Sequence, residues 1–197
     1  MGIPALLLSA YLVGGAPFAY FFVRATHGID LRATGSGNVG ATNAARLYKG
    51  AWRVPAFLFI FGLDAAKGYL ATTFLPGLFE LEGSVPAVAA GAAAVLGHAF
   101  SPFLHFHGGK GVATTVGALW GLEPVATLLS LGAFFAALAL TRTVAAGSLA
   151  FAVALPAFVL LRGRASPAVA FLAAALGAFI LVRHRSNIAR MMQGAAP

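Results

Sequence analysis

The chain contains no cysteine, which excludes disulfides, Cys-based zinc sites and thiol nucleophiles together. Charge is scarce as well: 9% of the 197 residues are charged, against about 25% in an ordinary soluble domain. Only five residues are acidic. What fills the chain instead is apolar, 60% by count, with a mean hydropathy of +0.88 that leaves no room for a water-soluble half. The length fits one domain, residues 1–197. These features predict an all-α, polytopic membrane helix bundle. The formal charge of +8 suits anionic lipid or anionic substrates. Nucleic acid is excluded as a partner, because the basic residues are scattered between apolar runs and form no stripe.

Residues Gly2 to Val23 make an apolar run long enough to cross a hydrocarbon core of about 30 Å. No Lys or Arg precedes the run, and Arg24 and Arg32 follow it. A secretory signal has the opposite order, so the expectation is a retained helix with its N-terminus outside. Further apolar stretches cover Val54 to Phe79, Val85 to Leu104, Val112 to Leu122, Pro124 to Leu140, Val144 to Leu161 and Pro167 to Val182. Together they predict seven transmembrane helices. The fourth is short, since eleven residues rise only about 16 Å. If it crosses, Arg24, Arg32, Arg46, Lys49, Arg53, Lys110, Arg142, Arg183, Arg185 and Arg190 fall inside, and only Arg162 and Arg164 outside. That split obeys the positive-inside bias and puts the C-terminus in the cytoplasm. No strong internal repeat is present.

Three polar islands interrupt the apolar runs. The first, Thr34 to Arg46, matches the dinucleotide fingerprint through Gly35, Gly37 and Gly40, but that motif needs a preceding strand and here membrane helices flank it. What survives is local: side-chain-free glycines let backbone N–H groups converge on an anion, with Ser36, Asn38, Thr42 and Asn43 as donors and Arg46 as charge. A solvated loop with a helix cap explains the segment equally well.

The second island runs from Gly97 to Thr115. It lacks the Walker A order, because position 104 is Leu and Gly111 follows Lys110. The Gly108-Gly109-Lys110-Gly111 turn still aims N–H groups, a helix N-terminus and the Lys110 charge toward a phosphate, with Thr114 in the first turn. A lipid-headgroup lysine is the plainer alternative. His98, His105 and His107 fit no metal-ligand spacing, so neither metal nor cofactor is expected; His98 instead suits a hydrogen bond to a neighbouring helix.

The third island is Arg183 to Arg190. On a continuing helix His184 and Asn187 share a face; a basic lipid anchor is the alternative. Inside the second span, Asp64 and Lys67 stand three apart, where a structural salt bridge is simpler than an ion pathway.

Taken in order, GSGNVGATNAAR, DAAKG, GHAFSPFLHFHGGKGVATT and HRSNIAR resemble the acyl-phosphate-dependent glycerol-3-phosphate acyltransferase family (PlsY) of bacterial integral-membrane type. The resemblance implies transfer of a fatty acyl group from acyl phosphate to the 1-hydroxyl of glycerol 3-phosphate, giving lysophosphatidic acid and phosphate. It implies a monomer in the bacterial cytoplasmic (inner) membrane, with membrane lipid around it and the site facing the cytoplasm. Position by position it implies Ser36, Arg46, Lys110, His184 and Asn187 as catalytic. It implies substrate binding by Gly37, Asn38, Gly40, Thr42, Asn43, Gly108, Gly109, Gly111, Thr114 and Arg185. Two positions depart from the family pattern: Ala195 stands where a Glu is common, and His107 where a Lys is common.

Acid-poor, cation-rich islands suit two anionic substrates. An acyl phosphate carries its own leaving group, so no protein nucleophile is required. The resemblance implies that a substrate phosphate oxygen takes the hydroxyl proton while His184 binds and orients; His184 as general base is the alternative. No H-x-x-x-x-D motif occurs, which argues against thioester-type acyltransferase chemistry. The competing class is a small-anion transporter of phosphate type. It is disfavoured because the islands cluster at one interface, and a purely structural subunit needs no such islands.

Overall fold

The first apolar run is two helices, not one. In this computed structural model, which describes residues 2–193, α1 (Gly2–Gly15) stops at Ala16-Pro17 and α2 (Phe18–His27) begins just beyond. Pro17 has no N–H to continue the ladder, and at the break the Ala16 carbonyl accepts from Phe18 N at 3.1 Å and from Lys67 Nζ at 2.9 Å. Helix α2 ends at Gly28, whose left-handed φ of +70° closes the last turn on the Arg24 carbonyl.

The remaining helices are α3 (Ala41–Ala45), α4 (Arg53–Thr73), α5 (Leu75–Leu78), α6 (Ser84–Ala99), α7 (Val112–Leu122), α8 (Pro124–Thr141), α9 (Val144–Arg162), α10 (Pro167–Arg183) and α11 (Arg185–Met192). Short 3-10 turns occupy Leu31–Ala33, Gly50–Trp52 and Pro102–Leu104, and the described residues contain no strand. The all-α expectation holds. Five stretches are long and apolar enough to cross a bilayer: Gly2–His27, Gly50–Thr73, Ser84–Leu104, Pro124–Thr141 and Val144–Arg162. A sixth requires α10 and α11 together, and these meet at a bend of 56°. Helix α7 has the expected eleven residues.

Two boundaries differ from the apolar runs. The second run breaks after Thr73, with α5 as a separate turn. The last helix does not continue through the third island: His184 (φ −98°, ψ 8°) ends α10, and its carbonyl starts α11 by accepting from Asn187 N at 2.8 Å. His184 and Asn187 therefore flank the first turn of a new helix. Ala195, one of the two departures from the family pattern, lies outside the described residues.

The chain forms two compact units, one ending at Ala118 and the other starting at Leu119. In the first, small residues let backbones approach, as apolar surroundings favour. A methyl placed on Gly14 would lie 2.1 Å from Ala94 O, and one on Gly68 2.0 Å from Thr114 O, so α1 packs tightly on α6 and α4 on α7. Leu6, Ala10, Ala71, Leu75, Ala90 and Ala94 fill the space between α1, α4, α5 and α6. In the second unit α9 packs against both α8 and α10. Gly177 there lets α10 approach Ala152 of α9. At the start of α8, Glu123 is buried and faces Arg162 Nε at 3.5 Å. Arg162 falls on the outer side in the seven-helix expectation, and pairing with it offsets the cost of burying Glu123.

Candidate active site

The first polar loop is built by one asparagine. Asn43, buried in α3, accepts from Ser36 N at 3.0 Å through Oδ1 and donates through Nδ2 to Thr34 O at 2.9 Å and Leu31 O at 3.3 Å. Its amide is thereby committed to folding the loop back onto the helix. Gly35 and Gly37 turn the loop at φ +58° and +69°, where a side chain is strained. A methyl at Gly35 would also meet Asn43 Oδ1 at 2.4 Å. Beneath the loop, Leu31, Val39, Ala41 and Ala44 pack on Ala19, Val23, Ile60 and Leu104. This anchoring leaves Ser36, Gly37 and Arg46 exposed, and Asn38, Gly40 and Thr42 half-buried.

Asp30, the acid beside this loop, is taken by Arg32. The guanidinium contacts both carboxylate oxygens at 2.7–3.2 Å while Arg32 N donates to Oδ1 at 2.9 Å. These bonds hold the Asp30 carboxyl down to about 2 and raise the Arg32 guanidinium above its ordinary value. The loop thus keeps its positive character.

The second loop hangs from the end of α6. Tyr11 Oη donates to Phe100 O at 2.5 Å and Ser101 Oγ to Gly15 O at 2.6 Å, tying it to α1. His105 and Phe106 both adopt positive φ, 53° and 62°, and Phe106 N returns to Ser101 O at 2.8 Å. Gly109 N then donates to His98 O at 3.1 Å. Gly111 turns at φ +85° into α7. Lys110 is half-buried at the turn. In the first turn of α7 the hydroxyls of Thr114 and Thr115 are fully buried and have no hydrogen-bond partner. His105 and His107 are exposed.

These two loops converge. Val39 of the first and Gly108 of the second line one small cavity, about 10 Å³, with Asp64, His98 and Ser101 in its wall. Asp64 and Lys67 do form the ion pair, at 2.8 Å. They also do something their spacing could not announce: Lys67 Nζ lies 3.2 Å from His98 Nδ1, so the pair reaches the helix that carries the second loop.

The third island belongs to the second unit. His184 and Asn187 are buried and Arg185 is exposed. A carbonyl orients the His184 ring: His184 Nδ1 lies 2.9 Å from Ile180 O, and since a carbonyl only accepts, Nδ1 carries the proton and Nε2 has acceptor character in neutral imidazole.

A family model for glycerol-3-phosphate acyltransferase matches residues 4–194. The chain belongs to the glycerol-3-phosphate acyltransferase family. It is 41% identical over 193 residues to a glycerol-3-phosphate acyltransferase of Maridesulfovibrio salexigens, covering 95% of this chain and 92% of that one. It is 44% identical over 194 residues to glycerol-3-phosphate acyltransferase 1 of Deinococcus radiodurans, covering 96% and 91%. Its structure is similar to crystal structures of PlsY, an integral membrane glycerol 3-phosphate acyltransferase. The glycerol 3-phosphate form matches with a TM-score of 0.88 at 32% identity over 100% of this chain and 95% of that one. The lysophosphatidic acid form matches at 0.87 and 31% over the same shares. This family member is accordingly an acyltransferase, all-helical and of integral-membrane type.

Proposed function

We propose that the chain transfers a fatty acyl group from acyl phosphate to the 1-hydroxyl of glycerol 3-phosphate, releasing lysophosphatidic acid and inorganic phosphate. The convergence of the two glycine-bearing loops on one cavity, through Val39 and Gly108, carries this reading. Two phosphorylated molecules need two sets of backbone and cationic donors side by side, and Ser36, Arg46 and Lys110 belong to these two loops. The relatives' names supply glycerol 3-phosphate as acceptor, and the PlsY crystal structures are of forms with that acceptor and with lysophosphatidic acid.

Acyl phosphate as donor follows from what the chain does not offer. With no cysteine and no His-Asp motif, it is poorly equipped to open a thioester, whereas an acyl phosphate brings phosphate as its own good leaving group. The acceptor oxygen attacks the acyl carbonyl carbon, the bond from that carbon to the phosphate oxygen breaks, and the hydroxyl proton passes to a phosphate oxygen. His184, held by Ile180 O, presents Nε2 to orient the hydroxyl. Arg46 and Lys110 balance the charge that collects on the leaving phosphate. Ser36, Asn187, Arg185, Thr42, Asn38 and the backbone at Gly37, Gly40, Gly108, Gly109 and Gly111 hold the substrates, the Gly37 and Gly109 amides themselves being spent on Thr34 O and His98 O. Thr114 supplies a buried hydroxyl with no other partner. Asn43 serves through the loop it fixes.

The same proposal has seven spans, α7 being the short fourth, with the N-terminus outside and the site facing the cytoplasm of a bacterial inner membrane. The whole chain acts as a single monomeric catalytic domain. Purified protein in lipid, given acyl phosphate and glycerol 3-phosphate, should form lysophosphatidic acid, and Arg46→Ala should lose it. Product from acyl-CoA in place of acyl phosphate would overturn the donor assignment. No acylated product from either donor would overturn the function.

A further inference from the structure

The buried charges of α4 have no place in the chemistry described so far. Asp64, Lys67 and His98 are 3%, 3% and 8% exposed. A buried ion pair is a weak source of stability, since well-packed apolar residues often do as well or better, and charges inside a span are costly. Something specific should come of keeping them.

Lys67 is fully engaged. Its ammonium has three donors and no acceptor, and three acceptors surround it: Asp64 Oδ1 at 2.8 Å, Ala16 O at 2.9 Å and His98 Nδ1 at 3.2 Å. The Phe18 ring lies 5.5 Å away. Because Lys67 only donates, His98 Nδ1 must accept, which fixes the neutral imidazole with its proton on Nε2. The Asp64 oxygen, 3.6 Å from Nδ1, belongs to Lys67.

The opposite edge of that ring abuts the phosphate turn. A methyl built on Gly109 would sit 2.0 Å from His98 Nε2, and one on Gly108 2.1 Å from His98 O. That carbonyl is among the last of α6, which have no helical donor of their own; Gly109 N provides one at 3.1 Å. His98 thus holds the turn twice, by its ring and by its carbonyl, one residue before Lys110. Asp64 and His98 also form part of the wall of the cavity that both loops share.

We infer that Asp64, Lys67 and His98 are positioning residues for the Gly108–Lys110 turn: the ion pair sets the tautomer and tilt of His98, and the His98 ring sets where Gly109 and hence Lys110 stand. This rests on the assignment of that turn to phosphate binding. It predicts that damage to the network reads out as weakened substrate binding and not only as a weaker fold.

The test is a double-mutant cycle on His98 and Gly109 with kinetics for both substrates, alongside melting of the detergent-purified protein. Gly109→Ala should raise the KM of at least one phosphorylated substrate by about tenfold or more, because its methyl meets the ring. In Gly109→Ala/His98→Ala the ring is gone, so the second change should recover about fivefold or more of that loss, a coupling expected only of residues in contact. Lys67→Met and Asp64→Asn should raise the same KM, and Lys67→Arg should restore it in part. Additive effects in the cycle, or variants whose melting falls while both KM values stay fixed, would overturn the inference. If Lys67→Met or Asp64→Asn does not fold, the cycle decides alone; if His98→Ala does not fold, His98→Asn replaces it. Active parent protein with no coupling refutes this inference only, whereas an inactive parent refutes the proposed function.

Discussion

Ser36 is held by Asn43: the Ser36 amide donates to the Asn43 side-chain oxygen at 3.0 Å across seven residues of chain. The residue expected to touch substrate is therefore placed by one expected to do the same, whose amide is already spent on three backbone partners. Replacing Asn43 by Ala strands Ser36 N, while Thr34 O and Leu31 O keep Gly37 N and Thr34 N as donors. A buried group left unpaired costs about 1–3 kcal/mol, so Asn43→Ala should lower both the melting temperature and kcat/KM. Ser36→Ala should lower kcat/KM with little change in melting. Equal melting losses in the two variants would contradict this division.

His184 is oriented by a main-chain carbonyl, which no substitution at position 180 removes. His184→Ala should therefore lower turnover through the loss of the imidazole alone, by about a hundredfold or more if it transfers the proton and less if it only orients. His184→Gln separates the two, since an amide can accept a hydrogen bond but cannot serve as a base. Turnover within a few-fold of the parent in His184→Gln excludes the base role; collapse to the Ala level supports it.

The Asp30 carboxyl is held near 2 by Arg32, below its ordinary value of 3.8. A group whose folded pKa is depressed stabilises the fold above its unfolded pKa and loses that effect as pH falls through the folded value. The melting difference between the parent and Asp30→Asn should accordingly be constant from about pH 5 to 8 and shrink between about pH 4 and 2. A difference that changes near neutral pH would assign the effect to another group.

The absence of cysteine makes membrane topology directly measurable. In right-side-out vesicles, an impermeant maleimide should label Arg164→Cys, in the exposed turn after α9, and spare Ser186→Cys, exposed at the start of α11. Inverted vesicles should reverse the pattern. Labelling of both from one side would remove α10 as a crossing segment and with it the seven-span arrangement.

Methyl groups have no room where α7 meets α4. On Gly117 one would lie 1.7 Å from Ala65 O, a backbone atom that cannot turn aside. Gly117→Ala should cost about 1–3 kcal/mol through overpacking, seen as a lower melting temperature, while Gly132→Ala, which has open space around it, should leave melting unchanged.

The long apolar runs and three polar islands were visible as patterns, because hydropathy and glycine spacing are local properties. The Ala16-Pro17 break was also written in the chain, in a proline after two glycines, yet overall hydropathy concealed it. The bend at His184 had no such marker: Arg183, His184 and Arg185 are all compatible with a helix. Nor could spacing reveal that Lys67 would meet His98, 31 residues away, since that contact depends on how α4 lies against α6. Asn43 was recognised as important for a reason its geometry alters, because a side chain that staples a loop and one that grips a ligand leave the same letter in the sequence.

Three of the five acids, Asp30, Asp64 and Glu123, face Arg32, Lys67 and Arg162. A chain that occupies most of its own anions in this way should attract foreign ones. Sulfated or sulfonated detergents, and buffers rich in phosphate, should then act as competitive inhibitors during purification and assay, while sugar-headed detergents should preserve catalytic strength.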